Sequence, residues 1–313
     1  MDTTNPSTLH LYSLPNEVFV QILSSFSTHS LLPLTTVSHR FHAVILRILH
    51  YRSLISAPLN EYKLILECFH PSSELIEPHV FCKYLGTDGL STQYDGKGSL
   101  YEDVDTAQQL GRLGSLYSRF RPAVAVEERS SGVRLVPSTD NGEQPSNLVV
   151  TRPISLEEFE DFSQLCVVVN IVKVMPGTNL LLSTVTVEDG VIRLFRDWLR
   201  NQAKYSESMR SPGAPPQGES SNNIACSSID EAHCRMLWVG QTKNVGLKVR
   251  IRGEEYLNCH FPDLIRYDEE QSTSYKLVIE ELHIRTTRLL MTTEKSLEQQ
   301  YYPKAMIFTR SIG

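Results

Sequence analysis

The side chains best suited to chemistry are few and scattered. His233-Cys234 and Cys259-His260 are two adjacent ligand pairs of the kind that could close a tetrahedral metal site, but the usual Cys-x₂₋₄-Cys spacing is missing. The expectation is therefore no metal and core or loop roles for all four. Glu157, Glu158, Glu160 and Asp161 form an acidic run that paired-carboxylate catalysis could use, though such a run more simply makes a solvated face or turn. Gly96-Lys97-Gly98-Ser99 lacks the spaced upstream glycine and the hydroxyl directly after lysine that a phosphate-cradling loop needs, so it reads as a turn. G-x-G-x-x-G, H-E-x-x-H and G-x-S-x-G are all missing. The reading is a protein without catalytic residues and without a cofactor. Trp198 lies on an apolar helix face and reads as core. Trp238, near the start of a strand, reads as core with an exposed ligand platform as the alternative.

Composition narrows the class. Of 313 residues, 41% are hydrophobic and 21% charged, enough apolar material for about two domains. Thirty-six acids against 30 bases give a net charge of −6, which argues against nonspecific nucleic-acid binding. Arg47 interrupts the apolar run 43–49, and Asn170 and Lys173 interrupt 165–174. No stretch approaches the roughly 20 residues that span a bilayer. The first ten residues carry no Lys or Arg, so no secretory signal is expected. Six irregularly placed cysteines do not make a disulfide framework. A reduced protein of the cytoplasm or nucleus is expected, with no membrane and no nucleic-acid partner.

Residues 11–57 have helical periodicity. Phe19, Ile22, Leu23 and Phe26 share one helix face; Pro15 suits its first turn and Glu17 its positive dipole end. Ser30 can cap a short second helix with Leu31, Leu34 and Val37, where Pro33 is tolerable in the first turn. Phe41, Val44, Ile45, Ile48 and Leu49 mark a third. Three short helices bury little surface by themselves. Leu11, Leu14, Leu31 and Leu32 are in surplus. They meet either a partner or the rest of the chain.

Residues 58–313 are expected to be β-rich. Strand patterns fall at 62–68, 79–85, 113–117, 132–136, 147–152, 165–174, 180–188, 245–251 and 275–284, with a phase shift at Glu280-Glu281 that predicts a bulge. One inserted helix is expected at 191–199. A mobile loop is expected at about 205–230 and a flexible tail at 1–10. The fold class is α+β: a three-helix domain, then a mainly antiparallel sandwich-like or barrel-like domain.

The wording of the helical segment carries a resemblance. Leu14-Pro15-Asn16-Glu17-Val18, then Ile22-Leu23, Leu31, Val37-Ser38 and Arg40-Phe41 resemble an F-box, here of the fungal type. The departures are His39, where a cation is frequent, and Pro33, which shortens or tilts the second helix. The resemblance implies binding to a Skp-type adaptor and, through it, cullin. Leu14, Pro15, Glu17, Val18, Ile22, Leu31, Val37, Ser38, Arg40 and Phe41 would carry that contact. Leu23, Phe26 and Val44 are expected in the internal core instead. The resemblance further implies a non-catalytic substrate receptor that presents an unidentified protein for ubiquitination. The alternatives are a carbohydrate-binding β-sandwich joined to the F-box, or an F-box protein acting outside a ligase.

Overall fold

The computed structural model describes residues 13–72, 79–123, 150–157, 159–175, 181–208, 236–253 and 273–301. The predicted strand at 132–136, the tail at 1–10, residues 209–230 of the predicted loop and the two His-Cys pairs lie outside them. The described part is mixed α+β, and the chain divides into two compact units.

The first unit takes residues 1–58, 87–116 and 286–313. Its helices are α1 (Asn16–Leu23), α2 (Thr28–Leu31), α3 (His39–Ser56), α4 (Thr106–Gly114) and α6 (Thr286–Tyr301), with a 3-10 turn at Leu32–Thr36. Their apolar faces make one core: Phe19, Leu23, Leu31, Phe41, Ile45 and Leu49 pack with Leu100, Leu113, Leu116 and Leu290. Thus part of the leucine surplus, Leu31, is covered by the chain's own later segments. His50 is buried in this core and fully bonded. The Ser91 carbonyl, 2.9 Å from Nε2, can only accept, so Nε2 donates. Nδ1 therefore accepts from the Tyr101 hydroxyl at 3.0 Å. Burial, reinforced by neighbouring Tyr94, pushes the Tyr101 hydroxyl well above its usual range.

Glu294 of α6 fixes the α1–α2 connection. Its carboxylate accepts from the Thr28 amide at 2.9 Å and the Thr28 hydroxyl at 2.7 Å, satisfying donors at the start of α2. It also accepts from Arg52 at 2.9 Å. The other arm of Arg52 donates to the carbonyls of Ser24 at 3.0 Å and Phe26 at 2.6 Å.

The second unit takes residues 59–86 and 117–285. It is one largely antiparallel sheet built from β1 (Tyr62–Phe69), β2 (Val80–Thr87), β3 (Tyr117–Ala123), β4 (Val150–Leu156), β5 (Phe162–Val174), β6 (Leu181–Phe195), β7 (Met236–Val239), β8 (Val245–Gly253) and β9 (Thr273–Arg285). The strand order is β6-β5-β1-β2-β3-β9-β8-β7, with β4 paired to β9. The two ends of that order approach each other: a Cβ built on Gly190 of β6 would stand 2.9 Å from Val239 Cγ1 of β7. Among the described residues the sheet is therefore nearly closed and barrel-like, the second of the two forms expected. Alternating residues fill the inside, among them Leu64, Leu66, Val167, Val169, Leu247 and Leu277. Arg152 takes an inward position of β4 and donates from Nε to the Cys68 carbonyl at 2.6 Å. Cys68, Cys82 and Cys166 are in no disulfide, and burial raises Cys82 far above its usual range.

The predicted bulge is present. Lys248 faces Glu281 and Val249 faces Ile279, leaving Glu280 as the extra residue. Three expectations need correction, the first being the start of the expected loop, since residues 205–208 are helical. β6 continues through Phe195, and helix α5 runs over Arg196–Ser208 instead of starting at 191. Ile192 and Leu194 are buried while Val191 and Phe195 are exposed. That period-two pattern fits β5 pairing from Phe162 to Cys166 and mimics helical spacing over a few residues. The stretch 113–117 ends α4 and only begins β3. Consequently three helices follow residue 58 among the described residues, where one was expected.

Candidate functional site

The helical segment has two kinds of apolar residue. On α1, Phe19 and Leu23 turn inward, one helical turn apart, while Val18 and Ile22 stand outward with the same spacing, 40% and 41% exposed. Ser24 and Ser25 end the helix by donating back to the Val20 and Ile22 carbonyls, each at 2.7 Å. Phe26 follows and is 45% exposed, so its expected core role is not what the structure shows. Ser27 then caps α2, its hydroxyl accepting from the Ser30 amide at 3.3 Å, and so takes the role foreseen for Ser30. Leu32 and Val37 bracket the 3-10 turn, and Val37 is 54% exposed. Pro33 lies in the first positions of that turn, where its missing N–H costs nothing.

The remaining candidate residues have different surroundings. Leu31 is completely buried and Phe41 nearly so; Phe41 meets Phe19 edge to face at 4.8 Å. They shape the surface from beneath, as do Leu23 and Val44, which the sequence placed in the core. Ser38 caps α3, accepting from the Phe41 amide at 3.3 Å. Glu17 is exposed in the first turn of α1. Leu14 is half-buried and Pro15 exposed. Pro15 sits at the cap position, just outside the helix, with its carbonyl accepting from the Phe19 amide at 3.1 Å.

Arg40 explains how that lead-in is held. Its guanidinium donates to the Asn16 side-chain oxygen at 2.9 and 3.1 Å and to the Leu14 carbonyl, and it lies 5.1 Å from the Phe19 ring centroid. The solvent-facing set is thus Pro15, Val18, Ile22, Phe26, Leu32 and Val37. Phe26 was not among the sequence candidates for the contact, and Leu32 entered only through the leucine surplus. Phe26 shares the α1 face as a projection, but the helix stops before reaching it.

The carboxylate run does not form a reactive pair in the described residues. Glu160 accepts from the Glu157 amide at 2.9 Å, and Arg196 donates to the carbonyls of both. This is a turn. Gly96-Lys97-Gly98-Ser99 is also a turn, with positive φ at Gly96 and Gly98 and the Gly98 amide held by Glu102 at 2.6 Å. Among the described residues no three His, Cys, Asp or Glu side chains converge as metal ligands, and no helix is long and apolar enough to cross a membrane.

Residues 11–56 match the family model for an F-box-like domain. The chain therefore carries an F-box-like domain over that segment. No curated protein and no solved structure matches the chain.

Proposed function

We propose that the chain is a non-catalytic substrate receptor. In this reading its F-box-like domain docks on a Skp-type adaptor, and through it on cullin, while the β-rich unit receives a protein target. The carrying observation is the set of apolar side chains left exposed on a well-packed helical unit, within the F-box-like segment: Pro15, Val18, Ile22, Phe26, Leu32 and Val37. Exposed apolar surface of this kind is what a partner covers. The preset backbone at Pro15 and the grip of Arg40 on Leu14 and Asn16 reduce the ordering cost of docking. The buried Leu31 and Phe41 keep the helices in register, and Ser38 starts α3. Catalysis would come from other subunits, by holding target and conjugating enzyme together.

Affinity purification of the full chain tests this. Adaptor and cullin should co-purify, and the Ile22→Asp/Val37→Asp variant should lose both. Adaptor without cullin would favour a role outside a ligase. The carbohydrate alternative rested on a two-sheet sandwich, and the single nearly closed sheet removes that support.

A further inference from the structure

Helix α6 brings a late part of the chain to the exposed apolar set of the F-box-like segment. It starts where the Thr286 amide donates to the Leu116 carbonyl at 2.9 Å, and Leu290 joins the helical core. One turn on, Glu294 accepts from the Thr28 amide and hydroxyl and from Arg52. Arg52 in turn donates to the carbonyls of Ser24 and Phe26. At Glu294, then, α6 lies against the α1–α2 connection, two residues along the chain from the exposed Phe26. Leu297 neighbours Glu294 on the helix surface and is 43% exposed, so α6 adds an apolar side chain of its own near that connection.

α6 ends at Tyr301. The next residues are Tyr302-Pro303-Lys304-Ala305-Met306-Ile307-Phe308, then Thr309-Arg310-Ser311-Ile312-Gly313. Pro303 disfavours helical backbone at the residue before it, which explains the stop. Met306, Ile307 and Phe308 are consecutive, and the segment holds no acid. From Glu294 to Tyr301 the helix advances about 10 Å, and residues 302–313 can extend over about 40 Å. That is enough to return past Glu294 and run along α1, which is about 12 Å long.

We propose that residues 302–313 cover the exposed face of α1 and the α1–α2 connection while no adaptor is bound. Ile307 and Phe308 would then lie against Ile22 and Phe26. The inference rests on the adaptor-docking reading and adds its regulation, because adaptor must displace the segment. The contact is apolar, not ionic: Arg40 is committed to Leu14 and Asn16, and Arg52 to Glu294. Glu17 is the only acid from residue 14 to residue 37. Lys304 and Arg310 can lay their stems on the surface and keep their charged ends in water. A tethered segment acts at an effective concentration near millimolar, so a weak intrinsic contact suffices. Adaptor affinity falls by the fraction of chains whose surface is covered.

The test begins without adaptor. Hydrogen exchange over residues 14–37 is compared between the full chain and a chain stopped after Tyr301. The stopped chain should exchange several-fold faster there with an unchanged thermal melt. Added peptide 300–313 should restore the protection equally at about 0.05 and 0.3 M salt, as an apolar contact requires. Should the stopped chain fail to fold, Ile307→Asp/Phe308→Asp in the full chain should show the same loss of protection. Equal exchange in either folded variant and the full chain would overturn the proposal. Protection that grows with protein concentration would assign the surface to a second copy and overturn the choice of occupant. Skp-type adaptor is then titrated, and the stopped chain should bind it about three- to tenfold more tightly than the full chain does. Equal adaptor affinity would overturn the regulatory role. Faster exchange with no adaptor binding by either chain would support the covering segment and contradict adaptor docking.

Discussion

Arg40 holds Asn16 from 24 residues away, with two guanidinium nitrogens on one side-chain oxygen at 2.9 and 3.1 Å. It thereby fixes the first residue of α1 to the first turn of α3, and its bond to the Leu14 carbonyl extends the grip to the segment before the helix. A cation that the resemblance offered as an adaptor contact instead positions the surface around it.

Arg40→Met keeps the apolar stem beside Phe19 and removes the hydrogen bonds. Charge-assisted bonds contribute about 1.5–3 kcal/mol net each, less when part-exposed as here. Adaptor affinity should fall roughly tenfold, while unfolding of the helical unit loses about 1 kcal/mol. Titration calorimetry and urea melts on the same protein separate the two effects.

Glu294→Ala removes the carboxylate shared by Thr28 and Arg52. It leaves a half-buried guanidinium and a helix start without their acceptor, a loss of about 2 kcal/mol. Chemical denaturation should show it. Because α6 also supplies Leu290 to the core, an isolated 11–57 fragment should be less stable than the same residues in the full chain.

Gly246→Val should disturb the second unit locally. The new side chain would collide with the Trp238 ring and the Met236 sulfur, whose distances from a Cβ are 2.8 and 2.9 Å. A red-shifted Trp238 emission and a loss of about 1–3 kcal/mol are expected. Trp198→Phe in the same background isolates the Trp238 signal.

Acid should weaken the β-rich unit through Glu281 and His283. Burial lowers His283 below its ordinary 6.5, with Glu281 opposing and Lys248 and Arg119 adding to the fall. Burial pushes Glu281 up, but Lys248, His283 and Arg119 together bring it below its usual 4.5. Both groups therefore contribute stability that is full above the unfolded-state values and lost as pH falls through the lower folded ones. Urea melts between about pH 7.5 and 4 should show a decline that begins below pH 6.5, and His283→Gln should remove its upper part.

Much of the helical segment was legible because its signals are local. Phe41 to Leu49 kept one helical face, and the F-box-like wording lies in contiguous residues. The bulge at Glu280 was legible because a one-residue slip in a period-two pattern flips the face. What failed was ambiguous over short windows: residues 191–199 satisfied both periods, and only pairing with β5 decided for strand as far as Phe195. The Arg52–Glu294 pair was illegible for another reason: it joins residues far apart in sequence.

The most direct test of adaptor docking is the dissociation constant between the full chain and purified Skp-type adaptor, for wild type and for Ile22→Ala/Val37→Ala. Truncating two exposed anchors should cost about 2–4 kcal/mol, a weakening of about thirty- to a thousandfold, with an unchanged melt. An affinity equal to wild type, or no binding by the wild-type chain itself, would contradict the account.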